Sequence, residues 1–94
     1  MTKKIITIMP GGGWKAIFAD IEGKQNPRDL VCWAALEDTG ETSVEGMVAR
    51  DGFIAFAPDD YTFAGYQNPS NEYDYKQKCE HLGTLLKEGK LKKH

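Results

Sequence analysis

Long apolar runs are missing from this chain. The longest is the seven-residue stretch Leu30–Leu36, whereas a membrane-spanning helix needs about 18 or more apolar residues. The apolar part of the N-terminal segment is short and contains Thr7, and Pro10–Trp14 is a poor cleavage region for a signal peptide. These absences predict a cytoplasmic protein.

Cysteine and histidine are also scarce. Two cysteines, Cys32 and Cys79, do not make a disulfide framework, and we expect both to be free, mostly buried thiols. The two histidines, His81 and His94, have no partners at the spacing of a zinc site. The sequence therefore predicts no metal site and no cofactor.

The sequence also lacks a catalytic signature. Gly11–Gly13 is not followed by the Gly-Lys-Ser/Thr and helix of a phosphate-binding loop, so we expect a β-turn there. The adjacent carboxylates, Glu37 with Asp38 and Asp59 with Asp60, are expected to point apart in solvated turns. We therefore predict that the protein is not an enzyme, with a small enzyme of unrecognised type as an alternative.

The composition that is present is that of a globular chain. Its 94 residues, 40% of them hydrophobic, predict a single domain over residues 1–94. Residues 1–75 carry six basic against twelve acidic side chains, whereas residues 76–94 carry six lysines against two glutamates. An acidic body argues against broad nucleic-acid binding, because affinity for phosphates requires a basic face.

Short apolar segments predict strands between about residues 3 and 66. The predicted strands are Ile5–Met9, Trp14–Ile21, Leu30–Leu36, Thr42–Arg50 and Phe53–Ala57, with Tyr61–Tyr66 as a sixth strand or as irregular chain. Leu30–Leu36 is expected to be covered on both faces. The polar segment Glu22–Asp29 is predicted to be a loop, and Gly46 inside a strand suggests a bulge or bend.

Turn residues separate these strands. Asp51-Gly52 between apolar segments predicts a two-residue type I′ hairpin, and Asp38–Glu41 suits another short hairpin. A helix is predicted over about residues 69–87, either with Asn68 as its cap and Pro69 at its first position or with Ser70 or Asn71 as a cap one turn later. Gly83 is a place where this helix stops or kinks. Residues 88–94 form a basic tail.

Together these elements predict an α+β domain. The expected form is a mainly antiparallel meander of five to six strands, curled into a small, SH3-like, partly open barrel with one C-terminal helix. An exposed strand edge would invite pairing with another chain, so the sequence also allows a homodimer.

Aromatic residues near paired carboxylates give the main candidate site. Tyr61, Phe63 and Tyr66 follow directly after Asp59 and Asp60. If some of these rings are exposed, they form an aromatic and acidic surface that suits a cationic ligand. We therefore predict a binding module for a peptide, a protein partner or a small cationic ligand; closure of the core is the alternative role for the rings.

The basic tail gives a second candidate surface, with four lysines that suit an acidic partner or nucleic acid: Lys87, Lys90, Lys92 and Lys93. A nucleic-acid-associated accessory protein is therefore the alternative function. Lysines near the end of a helix also stabilise the helix dipole, which is an ordinary structural role.

Four segments resemble a loose group of small uncharacterised bacterial proteins, some of them products of mobile elements such as integron gene cassettes. The segments are Gly13–Ala16, Val31–Asp38, Val44–Val48 and Phe63–Tyr66, within residues 5–68. The resemblance implies a small β-rich domain, and it implies no activity and no catalytic residues.

Overall fold

The computed structural model describes residues 4–70 and 74–90. Its strands are β1 (Lys4–Pro10), β2 (Lys15–Ala19), β3 (Gln25–Asp29), β4 (Cys32–Asp38), β5 (Glu41–Arg50), β6 (Phe53–Phe56) and β7 (Phe63–Gln67). A 3-10 turn, Ala57–Asp59, follows β6, and the helix α1 spans Lys76–Lys87. Every strand pair is antiparallel. The predicted α+β class with mainly antiparallel strands and one C-terminal helix is confirmed.

The strands form two sheets, ordered β1-β4-β5-β6 and β3-β2-β7. The predicted meander is wrong at its start, because β1 pairs with β4 and not with β2. The chain changes sheet at Gly11, where a side chain would lie 2.5 Å from the carbonyl oxygen of Leu30. Within the described ranges the two sheets do not close into one barrel, so the SH3-like barrel is not confirmed.

The strand β3 was not expected, because its segment is polar and was predicted to be a loop. All five of its residues are exposed, and it pairs with β2 along its whole length. Pro27 lies opposite Ile17, on an edge strand where its missing amide hydrogen does not interrupt the sheet. Backbone pairing with a buried neighbour, rather than an apolar pattern, makes this segment a strand.

Both predicted hairpins are confirmed. Asp51 and Gly52 have φ angles of 51° and 83°, and Thr39 and Gly40 have φ angles of 50° and 85°. Two successive residues in the left-handed region define a type I′ turn, whose twist matches that of the strands it joins. The β5–β6 hairpin is therefore a regular two-residue hairpin, which fixes its register.

Strand β4 has side chains covered on both faces, as predicted for the apolar run, although it begins at Cys32 rather than Leu30. Trp33 faces the three-stranded sheet and packs against the cluster between the two sheets. Ala34 and Leu36 belong to a separate cluster with Met47. Because side chains alternate along a strand, this cluster lies on the opposite face of the four-stranded sheet.

The three-stranded sheet lies between α1 and the four-stranded sheet. On one face of β2, Ala16 and Phe18 pack with Val48 of β5. On its other face, Ile17 packs with Cys79 of α1. Buried clusters therefore lie on both sides of β2, in addition to the cluster on the far face of the four-stranded sheet.

The helix starts later than predicted. Asn68 accepts a hydrogen bond from the amide of Ser70 (2.8 Å) and so closes a turn rather than capping a helix. The residues 71–73 of the predicted first turns lie outside the described part of the chain. At the observed start, Asp74 accepts a hydrogen bond from the amide of Lys76 (3.0 Å). The predicted end at residue 87 is confirmed.

Gly83 does not stop the helix. The helix continues through it to Lys87, and a side chain at Gly83 would lie 2.5 Å from the Cα atom of Gly23. Gly83 therefore lets α1 approach the turn after β2 closely. Within residues 4–70 and 74–90, no helix is long and apolar enough to cross a membrane; the cytoplasmic location stays a prediction.

Candidate functional site

An open cleft of about 700 Å³ lies at one end of the molecule, between the β5–β6 hairpin and the turn that follows β2. Its apolar lining includes Phe18 of β2, Val48 of β5, Ala55 of β6 and Leu86 of α1. Its volume is within the roughly 300–1,000 Å³ of small-ligand sites. We call this space the open cleft.

The open cleft carries an excess of negative charge. Four aspartates line it, Asp20, Asp51, Asp59 and Asp60, against one basic residue, Arg50. The formal charge of the lining is therefore −3. An apolar floor with acidic walls favours a ligand that has both an apolar part and a positive charge.

Asp60 has a structural role in this lining. One of its carboxylate oxygens accepts hydrogen bonds from the amide (2.8 Å) and hydroxyl (2.7 Å) of Thr62. The other oxygen pairs with the guanidinium of Arg50, whose Cζ atom lies 5.6 Å from the centre of the Phe18 ring. With its side chain only 7% exposed, Asp60 holds the segment after the 3-10 turn against β5.

Asp20 also serves the fold. One of its carboxylate oxygens accepts hydrogen bonds from the amides of Glu22 and Lys24, both at 2.9 Å. These bonds close the turn between β2 and β3. The negative charge of Asp20 nevertheless stays at the wall of the open cleft.

Asp59 and Tyr61 form the solvent-exposed part of the predicted aromatic and acidic surface. Both are exposed, Tyr61 to 36%, and both line the open cleft. They lie on either side of the anchored Asp60. Three of the five residues predicted for the aromatic and acidic surface are therefore brought together here.

The other two predicted residues lie in the core between the sheets. The ring centre of Tyr66 is 4.7 Å from that of Trp33 and 4.9 Å from that of Phe63. The Tyr66 hydroxyl accepts a hydrogen bond from the amide of Gly46 (2.8 Å). Neither Phe63 nor Tyr66 lines the open cleft, so both have the core role that was the alternative for these rings.

Gly46 explains why the Tyr66 ring lies in the core. The bulge predicted at Gly46 is wrong. Gly46 pairs regularly with Trp33 across the β4–β5 ladder. A side chain at Gly46 would lie 2.7 Å from the Tyr66 ring and 2.9 Å from the Leu30 side chain. The glycine makes room for the Tyr66 ring and leaves its own amide accessible to the hydroxyl.

Several lining residues were not identified from the sequence, among them Phe18, Ile21, Arg50 and Leu86. Ile21 offered a weak signal, because it is an apolar residue next to a predicted polar loop and is 58% exposed in the structure. The others were indistinguishable from core or surface residues, because the sequence does not show which strands lie beside the cleft.

The second candidate surface lies only partly within the described residues. Lys87 ends α1 and Lys90 follows it, and both are exposed. The ammonium of Lys90 lies 3.3 Å from the carboxylate of Glu88. Lys92 and Lys93 lie outside the described residues. The nucleic-acid alternative therefore stays a prediction.

The cysteines are two free, buried thiols, as predicted. Burial is the main cause that raises the pKa of the Cys79 thiol, and the negative charge of Asp20 raises it further. Gly11–Gly13 forms a turn, with the Trp14 amide donating to the Gly11 carbonyl (3.2 Å). In the described ranges no group of three His, Cys, Asp or Glu side chains is placed to hold a metal ion.

Comparison with known proteins found no matching family model, no matching curated protein and no matching solved structure. The resemblance to small bacterial proteins of mobile elements stays a prediction.

Proposed function

We propose that this protein is a non-enzymatic binding module that holds a long cationic side chain, or a small cation with an apolar stem, in the open cleft. The observation that carries the proposal is the pairing of an apolar floor with a lining charge of −3. Lysine and arginine side chains combine an apolar stem with a cationic end. One such side chain therefore satisfies both parts of the cleft.

Tyr61 supports the same ligand class. Its exposed ring lies beside Asp59 at the cleft, and the face of an aromatic ring attracts a cation by about 0.5–1 kcal/mol at an exposed site. Exposed ion pairs contribute only about 0–1 kcal/mol each. The affinity is therefore expected to be modest and to come from several weak contacts.

The test is a calorimetric titration with the tripeptide acetyl-Lys-Ile-Lys-amide and with its uncharged analogue, acetyl-Gln-Ile-Gln-amide. We expect the basic peptide to bind and the uncharged analogue to bind at least about tenfold more weakly, a difference in binding free energy of about 1.4 kcal/mol. Binding of the basic peptide should weaken strongly near 1 M salt, where the Debye length is only about 3 Å.

Charge removal on the protein gives the matched control. Asp59→Asn, at the cleft, should weaken binding of the basic peptide. Glu41→Gln removes the same charge from the exposed end of the other hairpin and should leave binding unchanged. Equal binding of the two peptides, or equal effects of the two substitutions, would contradict the proposal.

A further inference from the structure

The strand β6 forms an open edge beside the cleft. It is the last strand in the order β1-β4-β5-β6, and β5 is the only strand of the described chain that pairs with it. Phe53 and Ile54 on this edge are 74% and 56% exposed. Neither proline nor lysine, the residues that often block an edge strand, occurs in Phe53–Phe56.

The hairpin geometry shows which backbone groups point out of this edge. Arg50 and Phe53 flank the two-residue type I′ turn, and such flanking residues form a hydrogen-bonded pair. Because pair types alternate along an antiparallel ladder, Ala49 and Ile54 form a non-hydrogen-bonded pair. The amide and carbonyl of Ile54 therefore point away from β5, towards the open side.

Side-chain directions on the hairpin complete the geometry. Val48 and Ala55 are directly paired and both line the open cleft, so the alternation along β6 places Phe53 on this same face. Ile54 points to the opposite face, with its partner Ala49. A strand added beside β6 would share these two faces.

We infer that the partner is an extended peptide segment of the pattern basic–apolar–basic, which adds to β6 as an antiparallel strand. This inference rests on the proposed function and specifies its ligand. The central residue exchanges both backbone hydrogen bonds with Ile54, and its apolar side chain lies on the face of Ile54. The two flanking basic side chains point to the other face, where the open cleft lies.

Charge complementarity selects this partner. A flanking lysine or arginine reaches the cleft that Asp51 and Asp59 line, and its stem lies along the exposed ring of Phe53. Backbone pairing contributes affinity, and the alternating side chains contribute specificity, as in other cases of strand addition.

Methylation of the peptide backbone tests the inference directly. In acetyl-Lys-Ile-Lys-amide, an N-methyl group on the central isoleucine removes the amide hydrogen that bonds to Ile54. An N-methyl group on the second lysine adds the same bulk at an amide that points to solvent. We expect the first modification to weaken binding at least about fivefold, the usual effect of one hydrogen bond, and the second to change it little.

Each outcome of this experiment is informative. If the unmodified peptide and both methylated forms bind equally, strand addition is wrong and the proposed function stands. If none of them binds, the proposed function is wrong and the inference with it. Loss of binding on central methylation alone supports strand addition.

A protein variant provides a second measurement. Ile54→Pro removes the outward amide hydrogen without removing a bond to β5, and proline is tolerated on edge strands. Ile54→Val keeps the amide and is the matched control. We expect the proline variant to bind acetyl-Lys-Ile-Lys-amide at least about fivefold more weakly and the valine variant to bind it normally. Normal binding by a folded proline variant would overturn the inference.

Discussion

The same two sheets are tightly filled in one region and separated in another. Around Gly46, the rings of Trp33, Phe63 and Tyr66 fill the space between them. At the open cleft, Ala55 is among the lining residues, and its small side chain on the face of Val48 leaves space unfilled. The comparison indicates that side-chain volume, rather than strand pairing, decides where this fold has room for a ligand.

The largest effect is expected in the filled region. Tyr66→Ala removes a ring that packs on Trp33 and Phe63 and leaves the Gly46 amide without its partner. We expect it to lower the free energy of unfolding by about 3–5 kcal/mol. Tyr66→Phe keeps the ring and should cost only about 1 kcal/mol. A loss below about 1 kcal/mol for the alanine variant, measured by urea unfolding, would contradict the core role.

A smaller loss of stability is expected where the open cleft joins β5. Asp60→Ala removes the acceptor of two hydrogen bonds from Thr62 and the partner of Arg50, and should cost about 2 kcal/mol. Asp59→Ala, one residue earlier and exposed, should cost clearly less than Asp60→Ala, because solvent weakens the interactions of an exposed carboxylate. Equal costs in thermal unfolding would show that the two carboxylates do not differ in structural role.

A large side chain in the open cleft should remove the unfilled space that distinguishes the cleft from the filled region. Ala55→Phe places a ring in the space between the sheets, so binding of acetyl-Lys-Ile-Lys-amide should be lost while stability changes by less than about 1 kcal/mol. Ala49→Phe adds the same ring to the neighbouring strand on the opposite face. Calorimetry should show normal peptide binding to the Ala49 variant; loss in both would point to a general disturbance of the hairpin.

The smallest effect on stability is expected at the cleft's exposed ring. Tyr61→Ala should change the free energy of unfolding by less than about 0.5 kcal/mol and still weaken peptide binding. Tyr61→Phe retains the ring face and should bind normally. A stability loss as large as that of Tyr66→Ala would place Tyr61 in the core and remove it from the site.

Local chemistry made much of the fold predictable. The hairpin at Asp51-Gly52 follows from two residues that tolerate positive φ, and the apolar run of β4 follows from burial on both faces. The strand β3 was not predictable in this way, because its exposed residues become a strand only by pairing with β2. The sequence does not show which distant segment supplies that partner.

The candidate site was also predictable only in part, because the exposure of its residues depends on distant segments of the chain. Asp59 and Tyr61 line the open cleft as expected of an aromatic and acidic surface, whereas Tyr66 turns inward. Its direction depends on the space at Gly46, twenty residues earlier in the chain. Whether this aromatic residue is exposed therefore depends on the absence of a side chain at one position of another strand. Composition alone does not reveal that dependence.

The most direct test of the binding proposal is a map of backbone amide shifts in isotope-labelled protein during titration with acetyl-Lys-Ile-Lys-amide. The account predicts that the amides of Ile54, Ala55 and Tyr61 change, while those of Trp33 and Gly46 in the filled region do not. Changes centred on Lys87 and Lys90, or no changes at all, would contradict the assignment of the open cleft as the binding site.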